Sequence, residues 1–220
     1  MAIFITGDMH GDLNRFNHPV FGLFGKNRIK KRDTLIICGD FGFIWDGSKK
    51  EQRLLKWLGR RRYDVVFVDG VHENFDELQK YEVEDWCGGK TRKISGKLRQ
   101  LMRGQVFGID GKRVLAFGGG QDAIQQTDFD TALNSLAKYE NRVDYIVSYE
   151  PPTKIAEFLA LNKSVEDVSD NLSYFLDEIN ERTDYKRWFF GKHHINKSVA
   201  SKYFALFDDV INAEYDPAKK

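Results

Sequence analysis

The chain has 220 residues, of which 41% are hydrophobic and 30% are charged, an ordinary composition for a globular protein. Its 34 basic and 33 acidic side chains leave a net charge of +1, without the basic excess that is typical of proteins binding DNA or RNA unspecifically. No apolar run is long enough for a membrane-spanning helix, and the first residues lack the basic-then-apolar pattern of a signal peptide.

The two cysteines are too few to build a disulfide framework. Cys38 lies inside an apolar run and is predicted to be buried, whereas Cys87 lies next to Gly88 in a predicted loop. This cysteine usage predicts a reducing, cytoplasmic environment. No linker, repeat or change of composition interrupts the chain, so we predict a single domain over residues 1–220, with no signal for a particular oligomeric state.

Short apolar runs rich in β-branched and aromatic residues predict strands along the chain. In chain order they cover residues 2–6, 34–39, 64–69, 105–109, 113–118, 143–149 and 186–191, with a further strand within 203–211. Apolar residues at helical spacing predict helices over 49–62 and 165–181, and weaker patterns favour helices over 11–25 and 122–139.

Turn signals and the alternation of elements predict the fold class. Asp110-Gly111 predicts the turn of a hairpin, Gly118–Gly120 a turn that ends a strand, and the segment 81–104, rich in Gly, Lys and Arg, a long excursion. Strand–helix–strand units mixed with hairpins predict an α/β fold in which two mixed β-sheets pack together and helices flank them.

Residues with metal-binding side chains follow several predicted strands. The first strand leads into Gly7-Asp8-Met9-His10-Gly11, the second into Gly39-Asp40, the third into Asp69-Gly70-Val71-His72, and the strand at 186–191 into Lys192-His193-His194. Carboxylates and imidazoles together suit Mn²⁺, Fe²⁺ or Zn²⁺ better than Ca²⁺. These strand ends predict one metal site, although polar residues that cap turns are the alternative interpretation.

The motifs form an ordered set: Gly7-Asp8-Met9-His10-Gly11, Gly39-Asp40, Gly70-Val71-His72-Glu73 and Gly191-Lys192-His193-His194. This set resembles that of the calcineurin-like metallophosphoesterases. The resemblance implies a four-layer α/β/β/α sandwich with two metals bridged by an aspartate and a hydroxide, which clamp the phosphate and supply a nucleophile. By the family pattern, the first metal is bound by Asp8, His10, Asp40 and His194.

Three positions depart from that pattern. In the family, the residues at all three positions bind the second metal. The family has Asn at Val71, His at Tyr149 and His at Lys192. Valine has no donor atom, a protonated lysine cannot bind a metal, and tyrosine binds one only as a phenolate. We therefore expect one divalent metal ion, Mn, Fe or Zn. We also expect the Lys192 ammonium to lie beside Asp40 and replace part of the missing charge.

His72 occupies the position of the family's catalytic imidazole. The resemblance implies that it stabilises the transition state or protonates the leaving oxygen, so His72 and Lys192 are the candidate catalytic residues. The alternatives are a structural, hydrogen-bonded imidazole and a solvated surface lysine. Tyr149 is predicted to fill the site rather than to bind a metal.

Together these features predict a phosphoesterase that uses a single divalent metal, with weak or narrow activity on a phosphomonoester or phosphodiester. The expected partner is a small phosphate ester or a nucleotide. The alternative is an inactive descendant that binds a phosphate-bearing ligand or regulates another protein. A basic cluster between Lys90 and Arg103 is predicted to be a solvated face, and the alternative is a surface that receives a phosphate-rich ligand.

Overall fold

Two mixed β-sheets and their flanking helices account for residues 1–21, 28–120, 124–161 and 171–214, the parts of the chain that the computed structural model describes. The strands are β1 (Ile3–Thr6), β2 (Thr34–Cys38), β3 (Asp64–Val68), β4 (Val83–Trp86), β5 (Gly89–Ser95), β6 (Leu98–Leu101), β7 (Gln105–Ile109), β8 (Lys112–Phe117), β9 (Tyr145–Ser148), β10 (Arg187–Phe190), β11 (Lys197–Val199), β12 (Tyr203–Ala205) and β13 (Val210–Asn212). The helices are α1 (Lys49–Gly59), α2 (Phe75–Leu78), α3 (Gln126–Ala137), α4 (Thr153–Ala160) and α5 (Asn171–Arg182), with 3₁₀ helices at Leu13–Asn17 and Pro19–Phe21.

Parallel strands form the centre of each sheet. The first sheet has the order β13-β1-β2-β3-β6-β5-β4, and β1, β2, β3 and β6 run parallel. The second has the order β11-β12-β10-β9-β8-β7, and β8, β9, β10 and β12 run parallel. In each sheet the carboxyl ends of the parallel strands therefore meet at one edge, where the metal-binding motifs begin.

Three apolar layers hold the sheets and helices together. Between the sheets, Ile36 and Val66 of the first belong to the same buried cluster as Val147 and Phe189 of the second. On the outer face of the first sheet, Leu35 and Ile37 pack with Leu55 and Leu58 of α1. On the outer face of the second sheet, Leu115 and Ile146 pack with Leu136 of α3 and Leu176 of α5. The four-layer α/β/β/α prediction is confirmed.

The central strands are buried on both faces. All five residues of β2 are buried because helices cover one face and the second sheet covers the other. Such a strand is a continuous apolar run, which explains why the sequence pattern predicted it. Helix α1 begins where the Ser48 side chain accepts a hydrogen bond from the backbone N–H of Glu51, an N-cap that satisfies one of the free amide groups.

Most predicted strands are confirmed, with two corrections. Residues 203–211 hold two strands, β12 and β13, which pair in different sheets. The segment 81–104 is no excursion: it forms β4, β5 and β6, which extend the first sheet. Its charged residues concealed the alternation at the start of β5, where Gly89 and Thr91 are buried while Lys90 between them is exposed. Two-residue turns join β4 to β5 at Cys87-Gly88 and β7 to β8 at Asp110-Gly111. All four turn residues have positive φ, as tight hairpin turns require.

The helix predictions are confirmed in outline. The helix predicted over 49–62 ends at Gly59. The weak pattern over 122–139 corresponds to α3, and its residues 122 and 123 lie outside the described residues. The weak pattern over 11–25 contains two 3₁₀ helices, and its residues 22–25 lie outside the described residues. The predicted helix 165–181 corresponds to α5 from Asn171, and its first six positions are likewise not described. Helices α2 and α4 were not predicted.

The cysteines lie as expected. Cys38 is completely buried in β2, Cys87 is exposed in the β4–β5 turn, and both are free thiols. Across the described parts of the chain, we find no helix that is long and apolar enough to cross a membrane.

Candidate metal centre

The loops after β1, β2 and β10 bring the predicted site residues together in a strained backbone. His10, Asp40, Lys192 and His194 all have positive φ, between 42° and 64°. This region is uncommon for residues other than glycine and costs free energy that the surrounding structure must supply. Backbone N–H groups of Met9 and His10 both donate to the carbonyl oxygen of Asp40, at 3.0 and 2.8 Å. These bonds fasten the first two loops to each other.

Three of the four predicted metal ligands form a tight group. The Nε2 atoms of His10 and His194 lie 2.9 Å apart, and His194 Nε2 lies 3.7 Å from Asp8 Oδ2. Asp8 Oδ2 is buried and accepts no hydrogen bond. Two imidazole nitrogens and a carboxylate oxygen without a donor of its own are suitable ligands for a divalent transition metal. The residues present therefore fit the metal ion that the motifs predict.

The electrostatics of this group are unfavourable without a cation. Burial raises the pKa of Asp8 from 3.8 to about 7, and the carboxylate of Asp40 adds to the shift. The backbone N–H of Lys192, which donates to Asp8 Oδ1 at 3.0 Å, opposes it. Burial also lowers the pKa of His10 and favours its neutral form, the form that binds metals.

Asp40 lies beside this group and belongs to a second set of possible metal-binding atoms, with His10 and His72. Its Oδ2 accepts a hydrogen bond from His72 Nδ1 at 2.8 Å and lies 3.9 Å from His10 Nδ1. Its Oδ1 accepts from the backbone N–H of His72 at 2.8 Å. Asp40 thus contacts the candidate catalytic imidazole directly, and His10 lies between the two sets.

Tyr149 lies where its hydroxyl group reaches Asp40. The hydroxyl donates to Asp40 Oδ2 at 3.0 Å, and the residue is only 3% exposed. Burial, together with the nearby carboxylate of Asp40, raises the pKa of Tyr149 well above its usual 10. The side chain therefore remains a neutral hydrogen-bond donor.

The ring of Tyr149 fits into a slot between two glycines. A Cβ atom at Gly39 would lie 2.2 Å from a ring carbon of Tyr149, and a Cβ at Gly119 would lie 2.0 Å from another. Both distances are too short for two carbon atoms that are not bonded to each other, so the slot requires glycine on both sides. The backbone is thus shaped around Tyr149, the residue at a position where the resemblance implies a histidine.

Replacement of Gly119 by Ala is expected to destabilise the protein by about 1–3 kcal/mol, because the new methyl group would displace the rigid ring of Tyr149. Gly108→Ala is a matched control, since the nearest atom to its Cβ is 3.7 Å away. The control is expected to change the free energy of unfolding by less than about 0.5 kcal/mol. Urea denaturation of both variants checks this, and equal stabilities would contradict the described slot.

Lys192 does not pair with Asp40 as the sequence predicted. Its Nζ lies 2.6 Å from Oε2 of Glu150, a carboxylate that is only 5% exposed. Glu150 follows Tyr149 in the chain, at the end of β9, and this buried carboxylate is nearer than Asp40. The lysine charge is therefore balanced by a residue for which the sequence analysis had assigned no role.

Arg15 is a second residue that the sequence analysis missed. Its Nη1 donates to the backbone carbonyl of Asp8 at 2.6 Å, and its Nη2 donates to the carbonyl of Phe207. The guanidinium lies 5.0 Å from the centre of the Phe207 ring, which in turn packs against the ring of His194. Arg15 therefore joins the segment that carries Asp8 to Phe207, the residue that packs against His194. Nothing in its local sequence indicates this, because Phe207 lies 192 positions away in the chain.

The residues that follow the third predicted strand lie in two different environments. Val71 and His72 lie at the surface, 47% exposed for Val71 and 63% for the side chain of His72. Asp69, by contrast, is buried and accepts hydrogen bonds from Gln100 Nε2 and Arg103 Nε at 2.9 and 2.8 Å. Asp69 is therefore bound in a separate polar cluster.

Two packed mixed sheets with carboxylates and imidazoles grouped at the strand ends define an α/β protein with a metal-binding type of site. The family model of the calcineurin-like phosphoesterases matches residues 1–196, and the chain belongs to this family. The comparison with curated proteins found no match. Family membership and the grouped ligands together give the protein a metal-dependent phosphoesterase type of function with a divalent metal ion.

Proposed function

We propose that the protein is a phosphoesterase that works with a single divalent metal ion, Mn, Fe or Zn. Asp8, His10 and His194 would hold the ion, with Asp40 as the fourth ligand. The observation that carries this proposal is the buried Asp8 Oδ2, which lacks a hydrogen bond and lies beside two imidazole nitrogens. When bound, such a cation polarises a phosphate ester and makes a water molecule nucleophilic near neutral pH.

His72 is the candidate proton donor to the leaving group. Its Nδ1 is engaged by Asp40 Oδ2, which leaves Nε2 as the nitrogen that can exchange a proton with an ester. The hydrogen bond to Asp40 orients the imidazole ring, as a general acid requires. The exposure of the His72 side chain is consistent with contact to an incoming substrate.

The residues in place of the second metal support weak or narrow activity. Tyr149 offers Asp40 a neutral hydrogen bond, and the charge of Lys192 is balanced by Glu150. An ammonium group has three N–H donors, so Lys192 can bind Glu150 and a phosphate oxygen at the same time. This arrangement orients a phosphate but supplies no Lewis acid.

The proposed substrates are small phosphomonoesters or phosphodiesters, including nucleotides, and the proposed location is the cytoplasm. The neutral overall charge agrees with a small-molecule substrate better than with a long nucleic acid. The exposed rim at Val71 and His72 leaves room for the ester's leaving group.

Wild-type protein loaded with Mn²⁺ is expected to hydrolyse an aryl phosphate ester, and Asp8→Asn is expected to lower kcat/KM by at least about 10²-fold. The variant removes the unpaired carboxylate oxygen yet keeps an acceptor for the Lys192 N–H, so it tests metal binding rather than folding. Turnover with Fe²⁺ and Zn²⁺ is measured in parallel. Wild-type turnover no greater than that of Asp8→Asn, with every metal, would contradict the proposal.

A second candidate function is a non-catalytic protein that binds a phosphate-bearing ligand or regulates a partner. It is favoured by the hydrogen bonds that Asp40 already accepts and by the ion pair in which Glu150 balances the charge of Lys192. Such a protein would bind phosphate at the metal centre without hydrolysing esters.

A further inference from the structure

A cleft of about 170 Å³ opens on the outer face of the first sheet, beside helix α2 and near the carboxyl end of β3. A volume of this size has room for several waters or for one ring-sized group. Pockets for whole drug-sized ligands are larger, about 300 Å³ or more. Phe75 and Met102 contribute apolar surface to it, and Gln100 and Arg92 contribute polar atoms.

Gln100 is one of the residues that line this cleft, and it has an unused hydrogen-bond acceptor. Its Nε2 donates to Asp69 Oδ1 at 2.9 Å, and because a carboxylate accepts only, this contact determines which amide atom is the nitrogen. The residue is only 6% exposed, and its amide oxygen Oε1 is buried and has no hydrogen-bond partner. A buried carbonyl oxygen without a donor is costly, so this atom favours a ligand with an N–H or O–H group.

Arg92 presents positive charge at the same place. It lies directly opposite Gln100 in the pairing of β5 with β6, so both side chains lie on one face of the sheet. Its described contacts are two long hydrogen bonds, 3.4 and 3.5 Å, to the carbonyls of Tyr81 and Gln79. No carboxylate within the described ranges lies within 4 Å of it. Arg103, by contrast, already binds Asp69 and Asp128.

The chain separates this cleft from the metal centre. The backbone N–H of Gly119 donates to the carbonyl of Asp69 at 2.7 Å, which joins the segments 69–71 and 118–120. Asp40 lies against Gly70, and the Asp69 carboxylate lies against Gly118. A molecule in the cleft would therefore contact neither of the two sets of possible metal-binding atoms.

We propose that the cleft is a second binding site, for a small organic anion that also carries an N–H or O–H donor. The donor would bind Gln100 Oε1, the anionic group would bind Arg92, and the apolar part would lie against Phe75. A nucleoside monophosphate combines all three features: its ring-sized base would occupy the cleft, and its phosphate would lie outside the cleft beside the partly buried Arg92. The site does not depend on the proposed hydrolase activity, because its residues are not those of the metal centre.

The test is a titration of metal-free protein in EDTA, followed by calorimetry, with adenosine 5′-monophosphate, adenosine and inorganic phosphate as probes. The nucleotide is expected to bind saturably and more tightly than either part alone. Arg92→Met and Gln100→Met are each expected to weaken its binding by about tenfold or more, since a charge-assisted and a buried hydrogen bond are lost. Lys90→Met is the matched control on the same strand, because Lys90 is exposed and paired with Asp85.

Several results would overturn the proposal. They are an absence of nucleotide binding, equal affinity of wild type and Arg92→Met, and an affinity for inorganic phosphate equal to that for the nucleotide. Binding that is lost in Asp8→Asn would place the nucleotide at the metal centre instead. If Gln100→Met does not fold, Arg92→Met alone decides, since its side chain is only partly buried.

Discussion

Asp8→Asn is expected to stabilise the metal-free protein at about pH 8 and to change its stability little at about pH 4. Burial raises the pKa of Asp8 from 3.8 to about 7, so between these values the folded protein holds a proton that the unfolded chain releases. Stability is therefore lost as the pH rises from about 4 to about 7, and the loss is complete above that range. A shift of about three pKa units corresponds to at most about 4 kcal/mol.

We expect the variant to recover about half of this free energy, because its amide accepts a weaker hydrogen bond from the Lys192 N–H than a carboxylate does. Urea denaturation in EDTA at the two pH values measures the effect, with the exposed Asp130→Asn as the control. Mn²⁺ should reverse the order, since a ligand at about 100 times its Kd stabilises the wild type by about 2.7 kcal/mol. Lower stability of Asp8→Asn than of wild type at pH 8 in EDTA would contradict the described burial.

The triple variant Val71→Asn, Tyr149→His, Lys192→His is expected to raise the metal content from one ion per chain to two. The three new side chains supply the donors that the resemblance to the family implies at these positions. A second cation would share the negative charge of the phosphate with the first, so we expect turnover of an aryl phosphodiester to rise by about 10²-fold. Metal content after dialysis and steady-state kinetics measure the two effects.

Tyr149→Phe is the matched control for this experiment. It keeps a ring in the slot between Gly39 and Gly119 but removes the hydroxyl group that donates to Asp40. This variant should still bind one ion, and the loss of a buried hydrogen bond should cost it about 1–3 kcal/mol of stability. Two ions in the wild-type protein would show that Val71, Tyr149 and Lys192 do not exclude a second metal. An inactive wild type with an active triple variant would favour the non-catalytic function.

The strands that the sequence pattern predicted best are those buried on both faces. In β2 and β10 the apolar runs are continuous, so neighbouring charges do not obscure them. The strands β4 to β6 were misinterpreted because they lie at one side of the first sheet, where exposed charged residues such as Asp85 and Lys90 interrupt the apolar pattern. Helix α4 follows Pro151 and Pro152 directly, and such a pair of prolines was not enough to predict a helix there.

In the candidate site, too, some features could be predicted from the sequence and others could not. Asp8, His10 and His194 could be placed together from their motifs, because each follows a parallel strand and those strands end at one side of the fold. The partner of Lys192 could not be predicted from the motifs, because its side chain is long and flexible enough to reach either Asp40 or Glu150. Arg15 and its contacts with Asp8 and Phe207 carry no sequence signal at all, because 192 positions separate Arg15 from Phe207.

Residue types and their order along the chain were enough to identify the family, the layers of the sandwich and three side chains that the structure groups as possible metal ligands. These follow from local rules: apolar runs make strands, and glycines with polar residues end them. Which atoms meet was decided only by the tertiary structure. The left-handed backbone at His10, Asp40, Lys192 and His194 aims side chains in directions that no periodic pattern encodes. Contacts between distant segments then select the partners, including the pairing of Lys192 with Glu150 instead of Asp40.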